Sequence, residues 1–396
     1  MISMEDVICP NCKSTHIKKC GFNNTISGKK QAYWCYDCLR RFITEYRYKD
    51  GVIKEEEHHV AEGIRKTYPQ DWPVYNESQT REKLMFLDIL ADLCSYIPEE
   101  ERKIGRPRAN LQDMVFCGVT KCYEHLSSRR LISDIEIARQ RGYVTHTPHF
   151  NTTLKYLNQP FLTPVLTDLI KLSALPLKDF EQVFAVDASG LSSAFYSRWL
   201  DYRFNGDKRV KDWIKIHLMC GIKSSIVTHI IVTDGHRSDS PIFPELVRET
   251  AKNFRIAEVS ADKAYSSRDN VQVVSDIGAV PYIPFKVGAT GRCRGSYAWN
   301  KLFHYFQFHK EEFMQHYHQR SNVESTFSSL KRKFQGKLML KNEDAQVNEA
   351  LAKVLCHNIC ILIGEVLEGN AEMKFAELAH IFPSLHINSV KELRKV

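Results

Sequence analysis

The sequence predicts a mixed α/β domain, preceded by an all-helical region and a small metal-binding module at the amino terminus. Three observations carry this prediction: two close pairs of cysteines, apolar residues at helical spacing from about residue 76 to 175, and alternating strand and helix patterns after Leu177. A chain of 396 residues is long enough for two or three domains, each with its own core. We place the domains at residues 1–50, 51–178 and 179–368, followed by a tail at 369–396.

The overall composition is that of a soluble globular protein, with 43% hydrophobic and 26% charged residues. A net charge of +8 and a pI near 8.8 favour a polyanionic partner. The opening MISMEDVICPNC has acidic residues and no apolar segment, so we expect no signal peptide. The most apolar run, ICILIGEVLEG, is too short to cross a bilayer. We therefore expect a cytoplasmic protein with no membrane partner.

The amino-terminal cysteines have the spacing of a metal site. Cys9 and Cys12 form one C-x2-C pair, and Cys35 and Cys38 form another, separated by a segment long enough for a hairpin. Two such turns can direct four thiolates at one tetrahedral ion, which favours structural zinc in a zinc ribbon. Iron in a rubredoxin-like site and a redox dithiol are the alternatives. The surrounding basic and aromatic residues suit either a nucleic-acid contact or a solvated basic surface.

The helical region contains two features that suggest DNA binding. The segments ISDIEIARQRGY and HFNTTLKYLNQPF, joined by VTHTPH, fit either a helix-turn-helix or plain helical packing. Upstream, RKIGRPRANL places Arg106 and Arg108 around a proline, as in an extended arm that enters the minor groove. The alternative for that segment is a basic linker.

The α/β region has an informative element order. EQVFAVDAS is a strand that we expect to end at Asp187, WIKIHLMCGI and IVTHIIVTDG form a hairpin, and RIAEVSAD is a short strand ending at Asp262. A helix, the strand AVPYIP, an irregular insertion at about 285–315 and a final helix follow. The order β-β-β-α-β-α-β-α is that of an RNase H-like fold, a mixed five-stranded sheet flanked by helices. In this fold the first and fourth strands are neighbours.

The final helix, HYHQRSNVESTFSSLKRKF at 316–334, is predicted to be continuous and amphipathic. Its polar stripe contains Tyr317, Arg320, Glu324 and Lys331, which fall within about 60° of one another on a helical wheel. An apolar stripe lies beside it and would bury one edge of the helix. Taken alone, the polar stripe fits an ordinary solvated face equally well.

The fold would bring Asp187, Asp262 and Glu324 together, because the final helix packs across the first and fourth strands. Three converging carboxylates imply a cation, and oxygen ligands with no cysteine nearby favour Mg²⁺ or Mn²⁺. Two such ions about 3.5–4 Å apart can activate a water or a 3′-hydroxyl and stabilise the leaving oxygen of a phosphodiester. The interpretation of Asp187 and Asp262 as turn or cap residues is the alternative.

The spacing Tyr317-x2-Arg320-x3-Glu324-x6-Lys331 resembles the Y-R-E-K signature of DDE transposases from bacterial and archaeal insertion sequences. Further segments are similar to that family over roughly residues 105 to 365: VDASGL, WIKIHL, DGHRSDS with Asp239, ADKAYSS and EALAKVLCHN. The amino-terminal zinc ribbon is a less common addition to such proteins.

The resemblance implies a catalytic, metal-binding triad of Asp187, Asp262 and Glu324. It also implies that Arg320 and Lys331 hold DNA phosphates and that Tyr317 positions the strand; cations beside a metal site would in any case meet the DNA backbone. The expected function is cleavage of element ends and strand transfer to double-stranded target DNA, by a homodimer associated with the prokaryotic nucleoid. The alternatives are a domesticated, non-catalytic regulator and an RNase H-like nuclease without strand transfer.

Overall fold

The computed structural model describes residues 7–25, 28–43, 71–98, 108–193 and 213–377, together with Ala379, Phe382 and Leu385. The chain divides into two compact units, residues 1–70 and residues 71–396. Arg106 and most of the proposed minor-groove arm lie outside the described residues, as does nearly all of the tail after residue 377.

The amino-terminal unit contains a three-stranded antiparallel sheet in the order β1-β2-β3. Its strands are β1 (Ile17–Thr25), β2 (Gly28–Cys35) and β3 (Arg41–Ile43). The buried core beneath the sheet is small, and its described members are Val7, Cys9, Ile17, Tyr33 and Cys35. A core of this size provides little stability by itself.

The second unit begins with five helices, which confirm the helical segments expected from the sequence. They are α1 (Trp72–Ser95), α2 (Leu111–Glu124), α3 (Ser128–Gln140), α4 (Phe150–Leu157) and α5 (Leu162–Ala174). Polar side chains accept from free backbone N–H groups at four of the starts: Asp71, Asn110, Ser127 and His149. Helix α1 starts earlier than its apolar periodicity suggests because Asp71 caps it and Pro73 fits its first turn.

The five-stranded sheet follows, in the order β6-β5-β4-β7-β8. Its strands are β4 (Val183–Ser192), β5 (Trp213–Gly221), β6 (Val227–Asp234), β7 (Glu258–Ala261) and β8 (Val280–Tyr282). Strands β4, β5 and β6 pair antiparallel, whereas β7 pairs parallel with both β4 and β8. The predicted RNase H-like arrangement, with the first and fourth strands of this sheet side by side, is confirmed.

In the part of the chain that the structure describes, six helices pack on or around this sheet. They are α6 (Phe243–Ala251), α7 (Arg268–Asp276), α8 (Tyr297–Phe308), α9 (Lys310–His318), α10 (Ser321–Phe334) and α11 (Glu343–Leu367). The sequence suggested an irregular insertion at about 285–315, but the structure has α8 and the start of α9 within it. Ser296 caps α8 through the N–H of Trp299, and the ring of Phe285 packs against the rings of Trp299, Phe303 and Phe306. These aromatic contacts join the insertion to the main core of the unit.

The helix predicted over residues 316–334 is two helices, so this part of the prediction is wrong. At the junction of α9 and α10 the backbone bonds run to the third preceding residue: Arg320 N–H donates to Tyr317 and Val323 N–H donates to Arg320. Such bonds tighten the turn relative to an α-helix. Tyr317 therefore lies at the end of α9, whereas Glu324 and Lys331 lie on α10.

The described residues between 71 and 385 contribute to one continuous core, which includes residues on both sides of the predicted boundary near residue 178. The reason is α11, which contacts α1, α2 and α5 as well as β6. The apolar run ICILIG is part of this 25-residue helix. The helix is longer than the apolar run from which the sequence analysis judged membrane crossing. By length and composition α11 could cross a membrane, but 67% of its most apolar window is buried within the protein.

Candidate active site

Asp187 and Asp262 lie side by side at one position in the sheet. The parallel pairing of β4 with β7 ends at Val186 and Ala261, so the two aspartates are the next residues of neighbouring strands. Asp262 follows the last residue of β7, as predicted. Asp187 does not end its strand, because β4 continues to Ser192 in pairing with β5. The carboxylates therefore meet where the parallel ladder stops, while β4 itself runs on.

Helix α10 brings the third acid to this point. Val323, Phe327, Leu330 and Phe334 are buried, which confirms the apolar stripe, and Glu324 is exposed beside them. Arg320 links the acids: its guanidinium lies 3.3 Å from the Oδ2 of Asp187 and donates a short bond to Glu324. The guanidinium of Arg320 thus connects Glu324 to Asp187.

Burial raises the pKa of Asp187, and the charges of Asp262 and Glu324 raise it further. The N–H of Ala188, which donates to Asp187 Oδ1 at 2.9 Å, and the nearby Arg320 oppose this rise. The carboxylate is only 23% exposed. A partly buried acid beside two others is in an environment that a bound cation would stabilise.

The other signature residues differ in what they contact. Lys331 donates to the hydroxyl of Ser189 on β4 at 2.6 Å, and burial lowers the pKa of its amine. Tyr317 is half-buried, with the Arg320 guanidinium 5.9 Å from the centre of its ring. Arg108 is exposed just before α2. Arg320 thus contacts two of the acids, whereas Lys331 is held against the strand that carries Asp187.

A group of charged side chains that the sequence indicated only weakly lies on β5 and the loop after β6, beside the strand that carries Asp187. Asp239, in the loop after β6, forms an ion pair with Lys215 and lies 3.6 Å from Nδ1 of the buried His217. Lys215 and His217 are on β5, and His217 faces Ala188 across the sheet. The alternation K-x-H in WIKIHL was the available signal, since it puts both side chains on one face of a strand.

A glycine near the site allows a close approach. Gly190 pairs with Lys215 across β4 and β5, and a Cβ there would lie 2.6 Å from the ring of Trp213. The indole therefore packs directly on the backbone of β4, three residues beyond Asp187. This explains a glycine in the middle of a strand.

Helix α11 holds the loop after α10 in place through a buried ion pair. Glu349 and Lys353, 1% and 2% exposed, lie 3.2 Å apart. Glu349 accepts from the N–H groups of Met339 and Leu340, and Lys353 donates to the carbonyl of Gln335 at 3.3 Å. The same loop forms an isolated bridge with Ser192 at the end of β4. The end of α10 is thereby connected to the strand that carries Asp187.

In the amino-terminal unit, the four predicted cysteines come together. Their sulfur atoms all lie within 4.8 Å of one another, with 3.5 Å between Cys9 and Cys38 and 3.4 Å between Cys12 and Cys35. The two turns share one backbone structure: the first cysteine N–H of each donates to the carbonyl five residues on, at Ser14 and Arg40. A tetrahedral Zn²⁺ with bonds of about 2.3 Å places its sulfurs roughly 3.8 Å apart, so the group fits zinc.

The acidic triad has a different spacing. Within the described ranges, the cysteines are the one group of three or more such side chains whose donor atoms all lie within 4.8 Å of one another. Asp187 and Glu324 are separated by the guanidinium that bonds to both. The donors are all carboxylate oxygens, a set that suits Mg²⁺ or Mn²⁺.

Comparison with known proteins agrees with this arrangement. Residues 178–359 match the family model of the transposase DDE domain. The match includes Asp187, Asp262 and Glu324, and it ends within α11. No solved structure matches the chain.

Proposed function

Because residues 178–359 are a transposase DDE domain, we propose that the protein is a DNA transposase acting on the ends of its own insertion sequence. It binds those ends, cleaves them by metal-dependent phosphodiester hydrolysis and transfers the 3′-hydroxyl strands to target DNA. The observation that carries the proposal is the position of Asp187 and Asp262 side by side at the end of the β4–β7 ladder, with Glu324 joined to Asp187 through Arg320.

In this proposal Asp187, Asp262 and Glu324 hold two Mg²⁺ or Mn²⁺ ions. Opposite ligands of one such ion are at most about 4.2 Å apart at bond lengths near 2.1 Å. Two ions about 3.5–4 Å apart suit the cleavage of a phosphodiester, which has an attacking and a leaving oxygen. Bound there, the ions would supply Lewis acidity at the attacking and leaving oxygens of the phosphodiester. Asp187 would be one of the residues that hold them, and its carboxylate is already oriented by Arg320 and the N–H of Ala188.

The DNA strand would enter along the cations that rim the acids. Arg320 and Lys331 are assigned to phosphates and Tyr317 to positioning the strand. Arg320 would exchange its carboxylate partners for a phosphate, since the acids gain a metal as a new counter-ion. Arg106 and Arg108 are assigned to DNA outside the active site.

The remaining assignments concern assembly. The Cys9, Cys12, Cys35 and Cys38 group holds a structural Zn²⁺ and presents a basic surface to DNA. Two element ends must be held together during transposition, so a homodimer is the expected synaptic form. The protein would act in the cytoplasm, at the nucleoid.

The test is Mg²⁺-dependent cleavage of duplexes that carry the gene's own flanking sequences. Wild type should nick both flanks at matched positions, whereas Asp187→Asn, Asp262→Asn and Glu324→Gln should bind the DNA with unchanged affinity and leave it uncut. These substitutions keep the size of each side chain and remove its charge.

The products separate the competing functions. Joined strands in the presence of a target plasmid support a transposase. Cleavage without joined strands indicates a nuclease of the same fold, and tight binding with no cleavage by wild type indicates a regulator. Zinc is tested separately: one equivalent should be found by mass spectrometry in wild type and lost in Cys12→Ser.

A further inference from the structure

One buried polar group in the acidic site has no role in the scheme above. Tyr265 is 1% exposed, and its hydroxyl has no hydrogen-bond partner among the residues that the structure describes. Burying a hydroxyl without a partner destabilises the folded protein. A group of this kind calls for an explanation, because buried hydroxyls are nearly always paired.

The backbone fixes Tyr265 where it is. It ends the 3₁₀ turn Lys263–Tyr265 that Asp262 caps, and its N–H donates to the carbonyl of Asp262 at 2.9 Å. Its own carbonyl accepts from Asn270 at 2.8 Å, and its ring packs against Phe243 with the ring centres 5.6 Å apart. The ring is thus held on both sides and does not reach solvent.

The surroundings of the hydroxyl are acidic. Burial, and then the charges of Asp187, Asp239 and Asp262 in that order, raise the pKa of Tyr265. A tyrosine hydroxyl is protonated at neutral pH, so it can donate a hydrogen bond to a carboxylate. Asp187 follows the end of the β4–β7 ladder beside Asp262, the residue that caps the turn carrying Tyr265.

Asp187 is also the acid with a bond to exchange. One of its oxygens accepts from the N–H of Ala188, and the other faces Arg320 at 3.3 Å. If Arg320 turns to DNA, that second oxygen needs a new partner. Carboxylates that hold metals are themselves oriented by hydrogen bonds from neighbouring groups.

We propose that Tyr265 is a positioning residue of the acidic site, whose hydroxyl donates a hydrogen bond to Asp187 when that carboxylate turns from Arg320 to a divalent cation. The inference rests on the proposed function. The hydroxyl is then unpaired, and destabilising, when no divalent cation is bound. When the cation is bound, the hydroxyl orients the Asp187 carboxylate.

The test compares Tyr265→Phe with Tyr123→Phe in the zinc-loaded full chain. Tyr123 is a matched control, because its ring also packs against a buried phenylalanine, Phe86, but its hydroxyl donates to Glu82 at 2.8 Å. Two quantities are measured: Mn²⁺ affinity by titration calorimetry, and the melting temperature without divalent cation. Mn²⁺ binding that is present in wild type and absent in Asp187→Asn is assigned to this site.

Tyr265→Phe should weaken Mn²⁺ binding about 10- to 100-fold, because Asp187 loses the group that orients it. It should raise the melting temperature measured without Mn²⁺, because an unpaired hydroxyl is removed. Tyr123→Phe should leave Mn²⁺ affinity unchanged and lower the melting temperature. Wild-type Mn²⁺ affinity in Tyr265→Phe overturns the role of Tyr265 alone. If wild type shows no Mn²⁺ binding that Asp187→Asn removes, the proposed metal site fails and this inference fails with it.

Discussion

The guanidinium of Arg320 lies 3.3 Å from the carboxylate of Asp187, a residue 133 positions earlier in the chain. The same guanidinium bonds to Glu324 one turn along α10. Arg320 thus neutralises two of the three acids in the metal-free protein. A cation that approaches these carboxylates competes with it.

We therefore expect Arg320→Gln to bind Mn²⁺ at least as tightly as wild type, because the competing charge is gone. Cleavage of element ends should still fall by about 100-fold or more, since a cation that faces the phosphate is lost. Calorimetry and single-turnover cleavage measure the two effects. Loss of Mn²⁺ binding in this variant would contradict the competition and assign Arg320 to assembly of the acids.

Lys353→Met should destabilise the protein by about 3–5 kcal/mol, because Glu349 is left buried without its cation. The loop after α10 loses two bonds as well, those from Lys353 to Gln335 and Lys337. Urea denaturation measures the change. Lys374→Met is the control. The partner of Lys374, Glu372, is exposed, so loss of this ion pair should not measurably change the free energy of unfolding.

The stability of the protein should fall as the pH falls from about 6.5 to about 4. Burial lowers the pKa of His357 to about 4, so the unfolded chain binds a proton at this residue before the folded protein does. At pH 5 the loss from this residue is about 2 kcal/mol. His357→Gln keeps a donor for the carbonyl of Ser225 and should lose correspondingly less stability between pH 7.5 and 5.

Part of the pH dependence should remain in that variant, because burial also lowers the pKa of His229 to about 4. Equal losses in wild type and His357→Gln would show that the imidazole of His357 is solvated when folded. Chemical denaturation at a series of pH values distinguishes these results.

Two glycines should respond oppositely to alanine. Gly190→Ala places a methyl group against Trp213, so we expect a loss of about 1–3 kcal/mol. Gly364 lies within α11 with nothing within 4 Å of an added Cβ, so Gly364→Ala should stabilise by about 0.5–1 kcal/mol. Thermal unfolding of both variants checks the pair. Stability unchanged by Gly190→Ala would mean that the indole moves aside at little cost.

The fold and the convergence of the acids were predictable from the sequence because both depend on local patterns. Strand and helix periodicity defined the element order. Asp187 and Asp262 fell at predicted strand ends, and Glu324 fell on the predicted final helix. The extent of β4 beyond Asp187 was not predictable, because it depends on pairing with β5, a non-local contact. The break between α9 and α10 was missed for a different reason: a single tightened turn barely disturbs helical periodicity.

The contacts of Arg320 and the burial of the unpaired Tyr265 hydroxyl could not be predicted from the sequence either. Periodicity places a side chain on a face of a helix or strand, but it does not say which group it meets from another element. Lys331 is an example, since its expected partner was phosphate and its partner in the structure is Ser189.

The end of the β4–β7 ladder also determines where this chain tolerates changes in length. Each residue added to a strand advances it by about 3.3 Å and turns the following side chain to the opposite face. One residue inserted between Val183 and Val186, or between Glu258 and Ala261, would therefore move one aspartate away from the other. Natural variants of this protein should accept insertions in the connections between elements and exclude them from these two four-residue stretches.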